Sequence, residues 1–201
     1  VTAKLGLSHA DKVIGIHTTS VTRPTPYLGP GSKPLSEAEG ILLQQRRDWQ
    51  AAEGGYAHIQ GTKPQTLSYG LNDSPAGLAA WIVEKYRTWS DCGGDVEKRF
   101  TKDELLTTIT IYWVTQTIGS SSKIYYETLR KPWNMAKGER IEVPCAIAAF
   151  PAEISVPSRE LAERSYNVQQ WTVMPAGGHF AALEEPDRLV EDIRSFFRPL
   201  R

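Results

Sequence analysis

Ile141-Glu-Val-Pro-Cys-Ala-Ile-Ala-Ala-Phe150 is a continuous apolar run of β character. A strand with one wet face alternates polar and apolar residues. A strand that is apolar at nearly every position has to be covered on both faces, as in a parallel sheet. The residues that follow extend the pattern. Ser158 to Ser165 reads as a short helix, Gln169 to Met174 as a second strand, and Pro186 to Phe197 as an amphipathic helix. In that last helix Leu189, Val190, Ile193, Phe196 and Phe197 are expected to form the buried stripe. Strand, helix, strand, helix in this order implies parallel strands joined by crossovers, an α/β layer.

Working back toward the start, Asp11-Lys-Val-Ile-Gly-Ile-His-Thr-Thr-Ser20 is a short apolar run with polar flanks and reads as another buried strand. Val1 to Leu7 reads as the tail of a helix. Between these strands lies a different kind of sequence. Thr22 to Pro34 holds four prolines and two glycines, which suits a crossing loop. Ser36 with Glu39 three residues on is a capping-box signature, so a helix is predicted to about Ala52. Ser74-Pro75 starts another, and Thr101-Lys-Asp-Glu104 a third, with Leu105, Leu106, Ile109, Tyr112 and Trp113 at helical spacing. The expected organisation is an α/β core over 1–22 and 136–201, carrying a helical lid over 23–135.

Composition narrows the function. Lysine plus arginine (23) equals aspartate plus glutamate (23), so no net field favours nucleic acid or anionic lipid. Two cysteines, Cys92 and Cys145, make neither a disulfide framework nor a zinc site and suit a reducing, cytoplasmic setting. No apolar run approaches the roughly 20 residues of a membrane helix, and no signal peptide is visible.

The chemistry concentrates in Trp171-Thr-Val-Met-Pro-Ala-Gly-Gly-His179-Phe-Ala-Ala-Leu-Glu-Glu-Pro186. An apolar stretch ends in two glycines, delivers a histidine, and leads to a proline-started helix. A strand end that hands His179 to an open rim suits a general base. Read as isolated residues, a histidine after Gly-Gly is more often a turn residue, Glu153 a loop glutamate, and any tyrosine a packing residue with a solvent-reaching hydroxyl. His9, His17 and His58 carry no catalytic pattern. Trp49, Trp81, Trp89 and Trp113 suit the core of the helical insertion, and Lys123, Arg130 and Lys131 a solvated face.

Five segments together resemble the C-terminal half of an α/β-hydrolase, specifically the microsomal-type epoxide hydrolases. They are Gly55-Tyr-Ala-His-Ile-Gln60 with Thr62-Lys-Pro64; Leu71-Asn-Asp-Ser-Pro75 through Gly77-Leu-Ala-Ala80; Ile124-Tyr-Tyr-Glu-Thr-Leu129; Ala149-Phe-Pro-Ala-Glu153; and Gly177-Gly-His-Phe-Ala-Ala182 with Glu184-Glu-Pro186. The resemblance implies an aspartate nucleophile that opens an oxirane and forms an ester, two lid tyrosines that hydrogen-bond the oxirane oxygen, and a histidine–carboxylate pair that drives water onto the ester. It assigns the base to His179, its carboxylate partner to Glu153, and the lid tyrosines to Tyr56 and Tyr125, with Tyr126 next in register. It also implies a small apolar epoxide as substrate, a role in detoxification or aromatic hydrocarbon catabolism, and no cofactor or metal.

The chain departs from the family pattern at the nucleophile. Gly93-Gly94-Asp95 lacks the glycine that should follow and comes after no strand, so it is rejected. The nucleophile is expected a few residues before Val1, on an N-terminal half from the same gene product or a companion chain, without which the first strand would expose an aggregation-prone edge. A homo-oligomer is also compatible with this reading. Two alternatives stay open: another α/β-hydrolase, esterase or dehalogenase, for which paired lid tyrosines would be dispensable; and an inactive binding fragment.

Overall fold

The computed structural model describes residues 1–21, 25–155 and 158–201. Part of the proline-rich stretch expected as a loop, residues 22–24, lies outside the described residues, as does the expected lid boundary at 22/23. The chain divides into two compact units, Val1–Leu43 with Trp133–Arg201, and Gln44–Pro132. Residues 25–43 and 133–135 therefore belong with the sheet and not with the helical unit.

The first unit is built on three parallel strands in the order β1-β2-β3: β1 Ile16–Thr18, β2 Ile141–Ala149 and β3 Tyr166–Val173. β1 is shorter than its apolar run implies. Ala10–Lys12 forms a 3-10 turn and Ile14 is exposed, so pairing begins only at Ile16 opposite Cys145. Pro144 gives a physical reason for the other irregularity. It has no N–H to offer a neighbour, and the β2–β3 register shifts on either side of it, between Ile141 and Pro144 and between Cys145 and Ala146. From Cys145 to Ala149 every residue of β2 is buried, as the unbroken apolar run requires.

Both faces of β2 are covered. On one face Ile141, Val143, Cys145 and Ile147 join Ile16, Val21, Met135, Ala162 and Tyr166 in a core, with helix α1 (Thr2–Ser8) against it through Ala3 and Leu7. The close approach of α1 depends on Gly6: a Cβ there would sit 3.0 Å from Val143 Cγ2 and 3.1 Å from Ile141 Cγ2. On the other face Ala148 and Phe150 pack with Met174, Ala181 and Leu189. Helix α2 (Glu37–Glu53) begins with the expected capping box, Ser36 N–H donating to Glu39 Oε2 at 2.9 Å and Glu39 N–H to Ser36 Oγ at 3.2 Å. Glu39 is fully buried and takes a two-pronged bond from Arg164, whose guanidinium also donates to the carbonyls of Lys33 and Pro34. One ion pair thus fastens the loop before α2 to the layer beside the sheet.

The second unit is helical: the remainder of α2, then α3 Gly55–Thr62, α4 Pro64–Asp73, α5 Pro75–Trp89, α6 Lys102–Thr115 and α7 Ile118–Arg130. Ser74 caps α5, with Pro75 in its first turn, and Thr101 with Glu104 closes a capping box on α6, as the sequence predicts. Leu71, Leu78, Ile109 and Ile118 form its core, flanked by Trp81, Tyr112 and Trp113. Leu106, expected in the stripe, is exposed. Arg130 is exposed, as expected of a solvated face, and from there stacks over Tyr126 at 3.2 Å and donates to the Gly61 carbonyl.

In the first unit α8 (Arg159–Glu163) lies between β2 and β3, a single turn α9 (Ala181–Glu184) follows His179, and α10 (Pro186–Phe197) ends the layer. The stripe of α10 differs from the expected one. Val190 is exposed, and Asp192 is buried in its place. Its carboxylate is claimed by His17, Gln170 and Thr172, the first at 2.7 Å. Among the described residues no helix is long and apolar enough to cross a membrane.

Candidate active site

The first unit places one histidine–carboxylate pair at the ends of its two longer strands. Past Ala149, β2 turns: Glu153 N–H donates to the Phe150 carbonyl at 3.3 Å, and Ala152 N–H donates to the Gly177 carbonyl at 3.1 Å. Ala152 and Gly178 form an isolated parallel bridge, so the two loops that follow β2 and β3 are tied together one residue short of each functional side chain. Gly177 is what allows the second loop to bend there. Its φ is +100°, and a Cβ would fall 2.8 Å from Phe150 Cδ1 and 2.9 Å from Glu185 Cγ.

The result is that His179 Nδ1 lies 2.8 Å from Glu153 Oε1. The same oxygen accepts the Ile154 N–H at 2.8 Å, which fixes the carboxylate. Exposure divides the roles: the Glu153 side chain is 3% exposed, that of His179 37%. The ring stands edge-on to Phe180, whose own N–H is taken by Glu184 Oε1 at 3.0 Å. A neutral imidazole donating Nδ1–H to a buried carboxylate presents Nε2 as its basic atom. The structure brings these two residues together; the sequence did not point to Ile154, because a backbone N–H leaves no mark in a residue pattern.

The helical unit brings together the two tyrosines, which are 69 positions apart by number. Tyr56 on α3 and Tyr125 on α7 lie with ring centres 5.9 Å apart at 79°. Burial, then the neighbouring Tyr125, pushes the Tyr56 phenol up to about 12. Tyr125 is 38% exposed, and its partial burial still raises it, although hydrogen bonds from Tyr56 and Gln60 act against this. Both therefore remain protonated donors through the neutral range. Gln60 is buried, and its Oε1 accepts Trp81 Nε1–H at 3.0 Å, which orients the amide. Its position was readable: four residues after Tyr56, it shares that helix face. His58, which carries no catalytic pattern, is exposed.

Other nucleophile candidates do not fit. Asp95 follows Gly93 and Gly94, both at positive φ, and caps the 3-10 turn Val96–Lys98 by accepting the Glu97 N–H. It ends no strand. Burial raises the Cys145 thiol to about 12, which leaves no thiolate at neutral pH. Among the described residues no cluster of three metal-ligating side chains occurs.

Comparison with known proteins agrees in one direction. The chain is 44% identical over 153 residues to epoxide hydrolase 1 of Sus scrofa, covering 72% of this chain and 34% of that protein. It is 44% identical over 171 residues to juvenile hormone epoxide hydrolase 2 of Ctenocephalides felis, covering 81% and 35%. The crystal structure of the juvenile hormone epoxide hydrolase of the silkworm Bombyx mori superposes with a TM-score of 0.81 over 99% of this chain and 52% of that one, at 26% identity. The chain thus spans about a third of the length of the two sequence relatives. No protein-family model matches it.

Proposed function

Since the chain belongs to the epoxide hydrolase family of the α/β-hydrolase fold, we propose that it supplies the acid and water-activating groups for adding water to an apolar epoxide. The reaction runs in two halves. A carboxylate nucleophile, from a segment N-terminal to this sequence, attacks one oxirane carbon. The C–O bond breaks toward oxygen, and Tyr56 or Tyr125 donates the proton that the alkoxide takes up. Water then gives a proton to His179 Nε2 and attacks the carbonyl carbon of the ester. The acyl C–O bond breaks, the leaving alkoxide takes the proton of the new carboxyl group, and the diol leaves with the nucleophile regenerated as a carboxylate; the proton held by His179 returns through water to the tyrosinate. Glu153 holds the ring and balances the charge it acquires.

The observation that carries this reading is the 2.8 Å contact of His179 Nδ1 with a carboxylate that is itself fixed by the Ile154 N–H. A half-exposed imidazole on a buried, oriented acid is what a water-activating base requires. The phenol pair supports the other half, because two protonated donors in an aromatic setting can meet a developing alkoxide without a charged residue. The helical unit acts in this reading as the lid. The aromatic content of that unit favours an apolar epoxide, and the two free, buried cysteines suit a reducing compartment such as the cytoplasm.

The test uses the full-length protein and a simple aryl epoxide. His179→Gln should allow ester formation and block its hydrolysis, so rapid-quench mass spectrometry should find substrate bound covalently in stoichiometric amount. Tyr56→Phe and Tyr125→Phe should slow ester formation. No adduct in the histidine variant, with turnover unchanged in both tyrosine variants, would remove the proposal.

A further inference from the structure

Lys85 occupies a position that nothing in the scheme above uses. Trp81, Lys85 and Trp89 recur every four residues along α5 and so share one face. The Lys85 ammonium lies 4.7 Å from the centre of the Tyr56 ring, 5.6 Å from that of Trp89 and 5.9 Å from that of Trp81. Its side chain is only 18% exposed. The remaining contact is with the neighbouring Glu84 carboxylate, which is more exposed and also accepts from Thr88 Oγ1 at 3.3 Å. Tyr56 and Trp89 touch directly, ring centres 5.1 Å apart. A cation is thus boxed by three aromatic faces and tethered from the solvent side by an acid.

A lysine reaching for solvent would not be placed this way. Three rings attract one ammonium through their π faces, and the effect is largest where water is excluded. The consequence for Tyr56 is electrostatic. A phenol that gives up its proton gains negative charge, part of it delocalised into the ring, and a fixed positive charge on the ring face stabilises that state. Tyr56 needs such help more than its partner does. Burial raises the cost of ionising either phenol, but at Tyr125 hydrogen bonding from Tyr56 and Gln60 offsets it, whereas at Tyr56 the neighbouring Tyr125 adds to it.

We propose that Lys85 is a positioning residue for Tyr56, its boxed ammonium stabilising the charge which that phenol takes on as it passes its proton to the opening oxirane. The inference rests on the reading that Tyr56 is a proton donor in ester formation. It makes Tyr56, rather than Tyr125, the phenol that gives up the proton, with Tyr125 as its hydrogen-bonding partner.

The test is single-turnover kinetics on the full-length protein with an aryl epoxide, resolving ester formation from ester hydrolysis. Lys85→Met should slow ester formation about tenfold, a size within reach of a partly desolvated cation–π contact, and leave ester hydrolysis within about twofold. Lys85→Arg, which keeps the cation on the rings, should restore most of the rate. Lys85→Gln, of similar length and uncharged, is run beside the methionine variant in case that one folds poorly. The decisive readout is coupling. The effect of Lys85→Met should vanish in a Tyr56→Phe background and persist in Tyr125→Phe, which a merely structural role would not produce. An unchanged ester-formation rate in both uncharged variants, or an effect of equal size in the two phenylalanine backgrounds, overturns the inference while the proposed function stands. A Tyr56→Phe variant that forms ester at the normal rate also overturns the inference and leaves proton donation to Tyr125; the loss of the adduct in His179→Gln together with normal turnover in both phenylalanine variants is what would remove the proposed function.

Discussion

Replacing Glu153 with glutamine isolates the charge of the dyad from its geometry. The amide oxygen can take the place of Oε1, accepting the Ile154 N–H and the His179 Nδ1–H that now meet at that atom, each at 2.8 Å. The net negative charge beside the ring is what disappears. That charge matters only once His179 has taken a proton from water, so the loss should fall on ester hydrolysis and leave ester formation alone. Two unit charges about 4 Å apart interact by about 4 kcal/mol at the effective dielectric of a partly buried protein site. The carboxylate is 3% exposed but the imidazole 37%, so water screens part of this. A loss of about 2–4 kcal/mol follows, about 30-fold to about 1000-fold in the hydrolytic step. Rapid-quench mass spectrometry on the full-length variant should show ester forming at the normal rate and persisting. Ester formation slowed as much as hydrolysis, or hydrolysis slowed less than threefold, would refute the separation of roles.

Two further outcomes concern the scaffold. Arg164→Met strands a fully buried Glu39 carboxylate and should cost about 3–5 kcal/mol in denaturant unfolding. In the wild type the hydrogen bond from Arg164 holds the Glu39 carboxyl below its ordinary value of 4.5. Its stabilisation is therefore complete above that value and lost as pH falls through the lower folded-state value. Glu39→Gln should accordingly show a shallower loss of stability than wild type as pH falls below 4.5; parallel curves would refute the assignment. Gly177→Ala adds a methyl 2.8 Å from Phe150 at a φ of +100°. It should lower stability by about 1–3 kcal/mol and slow ester hydrolysis at least about tenfold by displacing His179; normal kinetics would show that the loop tolerates the shift.

The parts of the fold that were legible in the sequence are those fixed by local chemistry. The capping boxes at Ser36 and Thr101 and the Ser74-Pro75 start depend on residues within four positions of each other, and all three appear where the sequence predicts them. The double-sided burial of β2 followed from its unbroken apolar run. What was not legible depends on partners far along the chain. Nothing near Ile14 says that pairing starts two residues later, because the start is set by a distant partner, Cys145, which faces Ile16. Val190 looks like the better core residue of α10. Asp192 is buried instead because three donors, one of them 175 positions away, collect on its carboxylate.

That cluster also shows why a histidine–carboxylate contact is not itself a catalytic signal. The same unit holds two such pairs of nearly equal length, His17 with Asp192 at 2.7 Å and His179 with Glu153 at 2.8 Å. In the first, both side chains are 7% exposed, and the carboxylate is also bound by Gln170 and Thr172. Such a pair joins β1, β3 and α10, and water has little access to its ring. In the second, the acid is equally hidden but the ring is 37% exposed, and the acid's contacts come from a backbone N–H and the ring alone among the bonds resolved at Oε1. A base must exchange protons with water while its counter-charge stays dry, and only the second pair has that asymmetry. The distinction comes from two glycines: Gly177, whose positive φ turns the chain, and Gly178, bridged to Ala152, which sets His179 at the rim instead of within the layer.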